Sequence, residues 1–167
     1  MNFDTYATLA ARSKSSQFNV DDVEDWKTIT ILKEILRHGA TVDDLKKKLF
    51  YGRDSERLSG ANLRRDPGVS LYASVNYPET DLVHAILGIY TEAVELVELL
   101  YQAMTAEGEI GKGELHFETG DLLWYISLLG LDIDRVMEDN IDKLKKRYPE
   151  KFDADRAINR DQYSIPI

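Results

Sequence analysis

The sequence predicts an all-α fold, and three observations indicate it. Apolar residues recur every three or four positions, most regularly over residues 20–37 and 80–104. Glycines and prolines stand where such helices would end. Strand-like alternation is confined to residues 70–75, and an isolated strand is marginally stable at best. We therefore expect a helical bundle.

Local signals predict three helices in the first third of the chain. Apolar spacing predicts a short helix over residues 3–12 and a longer one over residues 20–37, which Gly39 closes. Thr41 followed by Asp44 resembles a capping box, so a separate helix is expected to begin there and to end at the next glycine. Residues 53–79 are then expected to form a loop with one helical turn.

The second half of the chain carries the strongest helical signals. We expect two motif helices, over residues 80–104 and 114–129, and a third helix over residues 132–147 that Pro149 stops. The short linker, rich in Gly and Glu, favours antiparallel pairing of the two motif helices. A chain of 167 residues with 43% apolar residues is long enough for one core, so a single domain over residues 1–167 is expected.

Composition excludes several classes of function. The chain has 30 acidic and 21 basic residues, a net charge of -9, which argues against a protein that coats nucleic acid. The absence of cysteine excludes disulfide frameworks, thiolate metal sites and cysteine nucleophiles. No secretory signal and no membrane span are recognisable. We expect a soluble, cytoplasmic protein that binds neither nucleic acid nor membrane.

Four carboxylates stand where solubility does not explain them. Glu92 and Glu95 lie one turn apart on a helix that is apolar on almost every side and is therefore expected to be buried. Glu118 and Asp121 repeat the spacing on the next helix. Such pairs usually belong to a solvated face, but four buried carboxylates require a positive partner. Mg²⁺ or Mn²⁺, which prefer oxygen ligands, is the natural candidate, with Glu98 at most a peripheral ligand.

Other catalytic constellations find less support. A di-iron site would need Glu-x-x-His on paired helices, and Asp121 stands where that histidine would be. The sequence contains neither the P-loop pattern nor the G-x-S-x-G nucleophile elbow.

The residue pattern of the third helix predicts a polar strip that complements the carboxylates. Asn140 falls within its apolar stripe, with Lys143 and Arg147 along the edge. A single Asn there is most often a satisfied core amide, but the three together favour an anionic ligand. A cation that is held by carboxylates and faces basic groups is an arrangement suited to polyphosphate hydrolysis.

These motifs resemble a known family. The pairs Glu92-x-x-Glu95 and Glu118-x-x-Asp121 are similar to the E-x-x-E…E-x-x-D signature of the all-α nucleoside triphosphate pyrophosphohydrolases: the MazG-like proteins and their dimeric dUTPase and phosphoribosyl-ATP pyrophosphatase relatives. The flanking segments resemble the bacterial and phage MazG-like subgroup, and they read VHAILGIYTEAVELVE, GDLLWY, NIDKLKKRYPEKF and, at residues 159–161, NRD. The resemblance covers residues 82–161, nearly half of the chain.

The resemblance implies the family's bundle and its activity, hydrolysis of (d)NTPs to (d)NMP and pyrophosphate in a homodimer or homotetramer. The four motif carboxylates would carry Mg²⁺, and one glutamate of the first motif would position the attacking water. The residues expected near the nucleotide are Asn140, Lys143 and Arg147. Three alternatives remain open: a catalytically silent nucleotide-binding regulator, an alarmone (ppGpp) hydrolase, and a purely structural bundle.

Two features depart from the family pattern. Val94 stands where many members have Gly, and residues 17–80 have no counterpart in the family. Within that segment, residues 46–65 hold seven basic and two acidic residues. We interpret this basic stretch as a solvated helix and loop. The alternative is a lid that brings arginines to the phosphates, and its candidates are Arg57, Arg64 and Arg65.

Overall fold

The computed structural model describes residues 1–16, 19–59, 78–106 and 108–158, and within these ranges the regular structure is entirely helical. The all-α prediction is therefore confirmed for this part of the chain, and the strand predicted at residues 70–75 lies outside it. Its helices are α1 (Phe3–Ala10), α2 (Asp25–Tyr51), α3 (Glu56–Ser59), α4 (Thr80–Thr105), α5 (Lys112–Ser127), α6 (Ile133–Arg147) and α7 (Ala154–Ile158), with 3-10 turns at Ala11–Ser13 and Val20–Asp22.

The predicted break at Gly39 is wrong, because α2 runs through it without interruption. Gly39 is a buried residue that faces α4, and a Cβ added to it would lie 2.4 Å from Cγ1 of Val94. Thr41 is not an N-cap either, since its hydroxyl donates to the carbonyl of Arg37 inside the helix at 3.3 Å. The glycine is thus explained by close packing of two helices and not by a helix end.

The helix expected from residue 20 begins only at Asp25, after the 3-10 turn at Val20–Asp22, whereas three other helix ends follow their predicted signals. Gly52 ends α2 with φ +66°, and Gly130 follows α5 with φ +64°, both in the left-handed region that glycine adopts without strain. Asp132 caps α6, because its carboxylate accepts a hydrogen bond from the backbone N–H of Arg135 at 3.1 Å. In the described part of the predicted loop, α3 forms one helical turn.

The chain divides into two compact units, Met1–Asp22 with Leu131–Ile167, and Val23–Gly130. In the second and larger unit, α4 packs between α2 and α5. Phe50, at the end of α2, stacks on His84 near the start of α4 with ring centroids 4.0 Å apart. Gly39, earlier in α2, meets Val94 further along α4, so these two helices are antiparallel.

The pairing of α4 with α5 is also antiparallel, as the linker predicted. The ring of His84 lies 5.4 Å from that of Tyr125, late in α5. Carboxylate oxygens of Glu95, later in α4, and of Glu118, early in α5, lie within 4.8 Å of each other. The two halves of the acidic motif therefore face each other across this helix pair.

The expectation that α4 is buried on almost every side is wrong for the single chain. Only Ala85, Gly88, Thr91 and Glu92 of this helix are buried. Several large apolar side chains of α4 are exposed, and the most exposed is Ile86, at 54%. The others are Leu82, Tyr90, Leu100 and Met104. None of the helices described is long and apolar enough to cross a membrane.

In the smaller unit α1 packs against α6. The hydroxyl of Tyr6 donates to Oδ1 of Asn140 at 3.2 Å. Ile141, in the next position of α6, is only 2% exposed. The guanidinium of Arg12 donates to the carbonyls of Pro149 and Glu150 at 3.0 and 2.9 Å, which fixes the chain after α6.

Candidate metal centre

Three of the four predicted carboxylates come together. Glu92, Glu95 and Glu118 each offer one oxygen, and these oxygens all lie within 4.8 Å of one another. The i, i+3 spacing places the first two on one face of α4, and antiparallel packing brings Glu118 of α5 opposite them. Glu92 is buried, Glu118 half-buried and Glu95 exposed, so the cluster extends from the helix interface to solvent.

The fourth predicted ligand, Asp121, is not a member of this cluster. It lies one turn beyond Glu118 on α5 and is exposed. Glu98, which we considered at most peripheral, accepts a hydrogen bond from Gln102 at 3.3 Å and also lies outside the cluster. The role of Asp121 as a ligand stays a prediction.

The residue that sequence reasoning missed is Lys46, which is only 5% exposed. Its amine donates to Oγ1 of Thr91 at 2.7 Å and to the hydroxyl of Tyr125 at 3.2 Å. It also lies 3.5 Å from Oε1 of Glu92 and 3.5 Å from Oδ1 of Asp43. Our interpretation of the basic stretch as solvated is therefore wrong for this lysine, which joins α2, α4 and α5 beside the carboxylates.

The surroundings of Lys46 favour its charged form. Burial acts to lower the pKa of the amine, but the hydrogen bond to Tyr125 and the negative charges of Glu92 and Asp43 outweigh it, so the pKa is raised. The amine also lies 4.9 Å from the centroid of the Tyr125 ring, within the range of cation–π attraction.

The acid–base equilibrium of Glu95 is strongly shifted. Partial desolvation raises its pKa first, followed by the hydrogen bond with Glu118 and the charges of Glu92 and Glu118, while Lys46 opposes them. The resulting pKa is about 7, well above the ordinary 4.5. At neutral pH this carboxyl is therefore poised between its protonated and ionised forms.

This shift predicts a pH dependence of stability in the absence of divalent cations. Between pH 4.5 and about 7 the folded state retains the Glu95 proton that the unfolded state loses, so the free energy of unfolding falls as the pH rises through this window. Because Glu95 is exposed, solvent screening limits the loss to about 1 kcal/mol. Urea unfolding at pH 5 and pH 8 should show this loss in the wild type and not in Glu95→Gln. Glu98→Gln is the control, and equal slopes in all three proteins would contradict the prediction.

An open cleft of about 320 Å³ lies between α2 and α4 and ends at the cluster. Its lining combines small and apolar groups with three carboxylates, namely Leu36, Gly39, Ala40, Asp43, Thr91, Val94, Glu95 and Glu98. Because Glu95 belongs to both the cleft and the cluster, a ligand in the cleft would reach a cation held by the glutamates.

The predicted anion-binding residues belong to the smaller unit. Asn140 is half-buried and hydrogen-bonded to Tyr6, as a satisfied core amide would be. Lys143 is exposed, and Arg147 is half-buried, with its carbonyl accepting from Arg156 at 3.2 Å. Their proposed contact with a nucleotide stays a prediction.

Of the three arginines proposed for a lid, only Arg57 lies in the described part of the chain. Its guanidinium pairs with Asp44 at 2.9 Å, and the hydroxyl of Ser55 donates to the same carboxylate at 2.6 Å. The hydrogen bond from Ser55, and then that from Arg57, lower the pKa of Asp44. Arg57 is thus engaged in the turn after α2, while Arg64 and Arg65 lie outside the described residues.

Comparison with protein-family models, with curated proteins and with solved structures found no match to this chain. The chemistry of the site itself therefore indicates what it can do. That chemistry is three glutamates of different exposure on two antiparallel helices, with one buried lysine against the innermost of them.

Proposed function

We propose that this chain is a Mg²⁺-dependent nucleotide pyrophosphohydrolase that cleaves (d)NTPs to (d)NMP and pyrophosphate. The observation that carries the proposal is the convergence of Glu92, Glu95 and Glu118 within 4.8 Å, at the positions of the E-x-x-E and E-x-x-D motifs. Oxygen donors from carboxylates fit Mg²⁺, and Mn²⁺ would be accepted by the same ligands. When bound, the cation would polarise phosphoryl oxygens and activate water.

The two glutamates of α4 have different roles in this proposal. Oε1 of Glu92 is engaged by Lys46 and lies 3.3 Å from the hydroxyl of Thr91, so Glu92 is the fixed ligand. Glu95 is exposed and lines the open cleft, which suits a group that orients the attacking water. We therefore assign the orientation of the attacking water to Glu95.

The remaining substrate contacts are proposed from the sequence motif. Lys143 and Arg147 would neutralise charge on the pyrophosphate leaving group, and Asn140 would contact the nucleotide. For Asn140 this requires the hydrogen bond from Tyr6 to be shared or released.

A nucleotide panel tests the proposed activity. Ribo- and deoxyribonucleoside triphosphates and ppGpp are incubated with Mg²⁺, and pyrophosphate, orthophosphate and nucleoside monophosphate are quantified. We expect equal amounts of monophosphate and pyrophosphate from at least one triphosphate, and no turnover with EDTA. Release of orthophosphate in place of pyrophosphate, or no turnover with either Mg²⁺ or Mn²⁺, would refute the proposal.

We also propose that the chain forms a homodimer or homotetramer, because α4 exposes a stripe of apolar side chains. Leu82, Ile86 and Tyr90 follow one another at four-residue intervals, and all three are exposed. A symmetric assembly would bury such a face.

The oligomer proposal predicts the effect of a charge in this stripe. Light scattering should give the wild type at least twice the monomer mass of 19.1 kDa, and Ile86→Glu should shift it towards the monomer. Ile31→Glu on α2 is the matched control, since Ile31 is exposed to 59% and Ile86 to 54%. A monomeric wild type, or the same shift in both variants, would contradict this assignment of the interface.

A further inference from the structure

The buried amine of Lys46 places a permanent positive charge beside a site that would bind another cation. Its Nζ is 3.5 Å from Oε1 of Glu92, the innermost carboxylate of the cluster. The residue is 5% exposed, so solvent screens this charge far less than that of the surface lysines. The amine of Lys46 would therefore repel a cation bound to the glutamates.

Lys46 is held in place by uncharged partners as well as charged ones. The hydroxyl of Thr91 lies 3.0 Å from the carbonyl of Gly88, to which it donates, so its lone pairs can accept from the amine at 2.7 Å. The hydroxyl of Tyr125, on α5, also accepts from the amine at 3.2 Å. With contacts on α4 and α5, the amine cannot swing away from Glu92 without losing several buried hydrogen bonds.

The charge balance of the cluster changes when Lys46 is included. Three carboxylates within 4.8 Å of one another repel each other when they are ionised. The lysine offsets part of this charge from inside the protein, so the helices can pack without a bound metal ion. The remaining negative charge still suits one divalent cation.

We propose that Lys46 is a built-in counter-cation, a positioning residue that stabilises the carboxylate cluster before substrate binds and keeps its affinity for free divalent cations low. The cation then enters together with the polyphosphate, whose negative charge offsets the repulsion from Lys46. This inference rests on the proposed function, since it concerns the same cluster and the same substrate class.

The test compares Mn²⁺ binding and melting in the wild type, Lys46→Gln and Lys47→Gln. Lys46→Gln retains an N–H donor for Thr91 and removes the charge. Lys47 is a matched control on the same helix, because it is 35% exposed on its side chain and pairs with Asp43 outside the cluster. Mn²⁺ alone is titrated by calorimetry, and thermal melting is recorded with and without it.

We expect Lys46→Gln to bind free Mn²⁺ about tenfold more tightly than the wild type, because a repelling charge has been removed from beside the site. Its melting temperature without Mn²⁺ should be lower than that of the wild type, and Mn²⁺ should restore most of the difference. A non-hydrolysable nucleoside triphosphate analogue should increase the Mn²⁺ affinity of the wild type more than that of the variant. Lys47→Gln should behave like the wild type.

Each other outcome is decisive. An unchanged or weaker Mn²⁺ affinity in Lys46→Gln overturns the inference, whereas pyrophosphate release by the wild type would leave the proposed function standing. Absence of Mn²⁺ binding in every protein, with and without the nucleotide analogue, overturns the cation site itself. If Lys46→Gln is unfolded without Mn²⁺, recovery of the fold on adding Mn²⁺ supports the inference, and failure of both Lys46→Gln and Lys46→Met to recover overturns it.

Discussion

Glu118→Gln is expected to lower the rate of pyrophosphate release by about 100-fold or more, because losing even a hydrogen-bond partner of a metal ligand costs about 10–100-fold. The same substitution should not destabilise the fold without divalent cations. After desolvation, the hydrogen bond with Glu118 and the charge of Glu118 raise the pKa of Glu95, because that charge repels the ionised form of Glu95. Replacing it with a neutral amide removes this repulsion, so the melting temperature should be equal to or above that of the wild type.

The combination of lost activity and retained stability distinguishes a ligand from a structural residue. Steady-state kinetics with Mg²⁺ and thermal melting with EDTA measure the two effects separately. Glu98→Gln is the control, since Glu98 is a glutamate that lines the cleft but lies outside the cluster. An active Glu118→Gln, or an inactive one with a lowered melting temperature, would contradict the assignment.

The activity of Asp121→Asn would show whether the cation has three or four carboxylate ligands. The sequence motif predicts four carboxylate ligands, whereas the described cluster contains three. A loss of activity as large as that of Glu118→Gln would mean that Asp121 turns towards the cation when substrate is bound. Retained activity would limit the ligands to the three glutamates.

The acidic motif could be predicted from the sequence because its geometry is local. The i, i+3 spacing puts Glu92 and Glu95 on one face of a helix in any environment. A short linker then leaves antiparallel pairing as the simplest way to bring Glu118 opposite them. Three of the four predicted ligands meet for these two reasons.

The burial of Lys46 cannot be predicted from the sequence, because Gly39 resembles a helix end. Leu32, Gly39 and Lys46 are the buried residues of α2, and they recur at seven-residue intervals along one face. A helix that ends at Gly39 lacks this register, and Lys46 then falls among exposed basic residues. Glycine has two uses that sequence alone does not separate, helix termination and close helix packing, and here Val94 of α4 decides between them.

The burial of α4 was overestimated for a different reason. Apolar composition indicates that a helix will be covered but does not say by what. Within one chain, α2 and α5 cover the face that contains Ala85 and Gly88, while the face with Ile86 stays exposed. The proposed second copy of the chain would account for the difference.

Gly88→Ala is expected to destabilise the protein by about 3 kcal/mol, at the upper end of the usual range for overpacking. A Cβ at this position would lie 2.0 Å from Cδ1 and 2.1 Å from Cε1 of Tyr125. The Tyr125 ring is 7% exposed and is flanked by the rings of His84 at 5.4 Å and Trp124 at 4.6 Å. Because the ring cannot move aside freely, α4 and α5 would have to separate, and urea unfolding would measure the loss.

Gly120→Ala is the same chemical change, but we expect it to raise the free energy of unfolding. Gly120 lies in the middle of α5, and a Cβ there would meet no atom within 4 Å. Alanine should therefore stabilise the helix by roughly 0.5–1 kcal/mol. Tyr125→Leu replaces the ring with a smaller side chain and should therefore reduce the destabilisation caused by Gly88→Ala. A double-mutant cycle would detect this difference. Similar effects of the two glycine substitutions would mean that the Tyr125 ring is not packed on Gly88. The hydroxyl that helps to hold Lys46 beside Glu92 would then need another anchor.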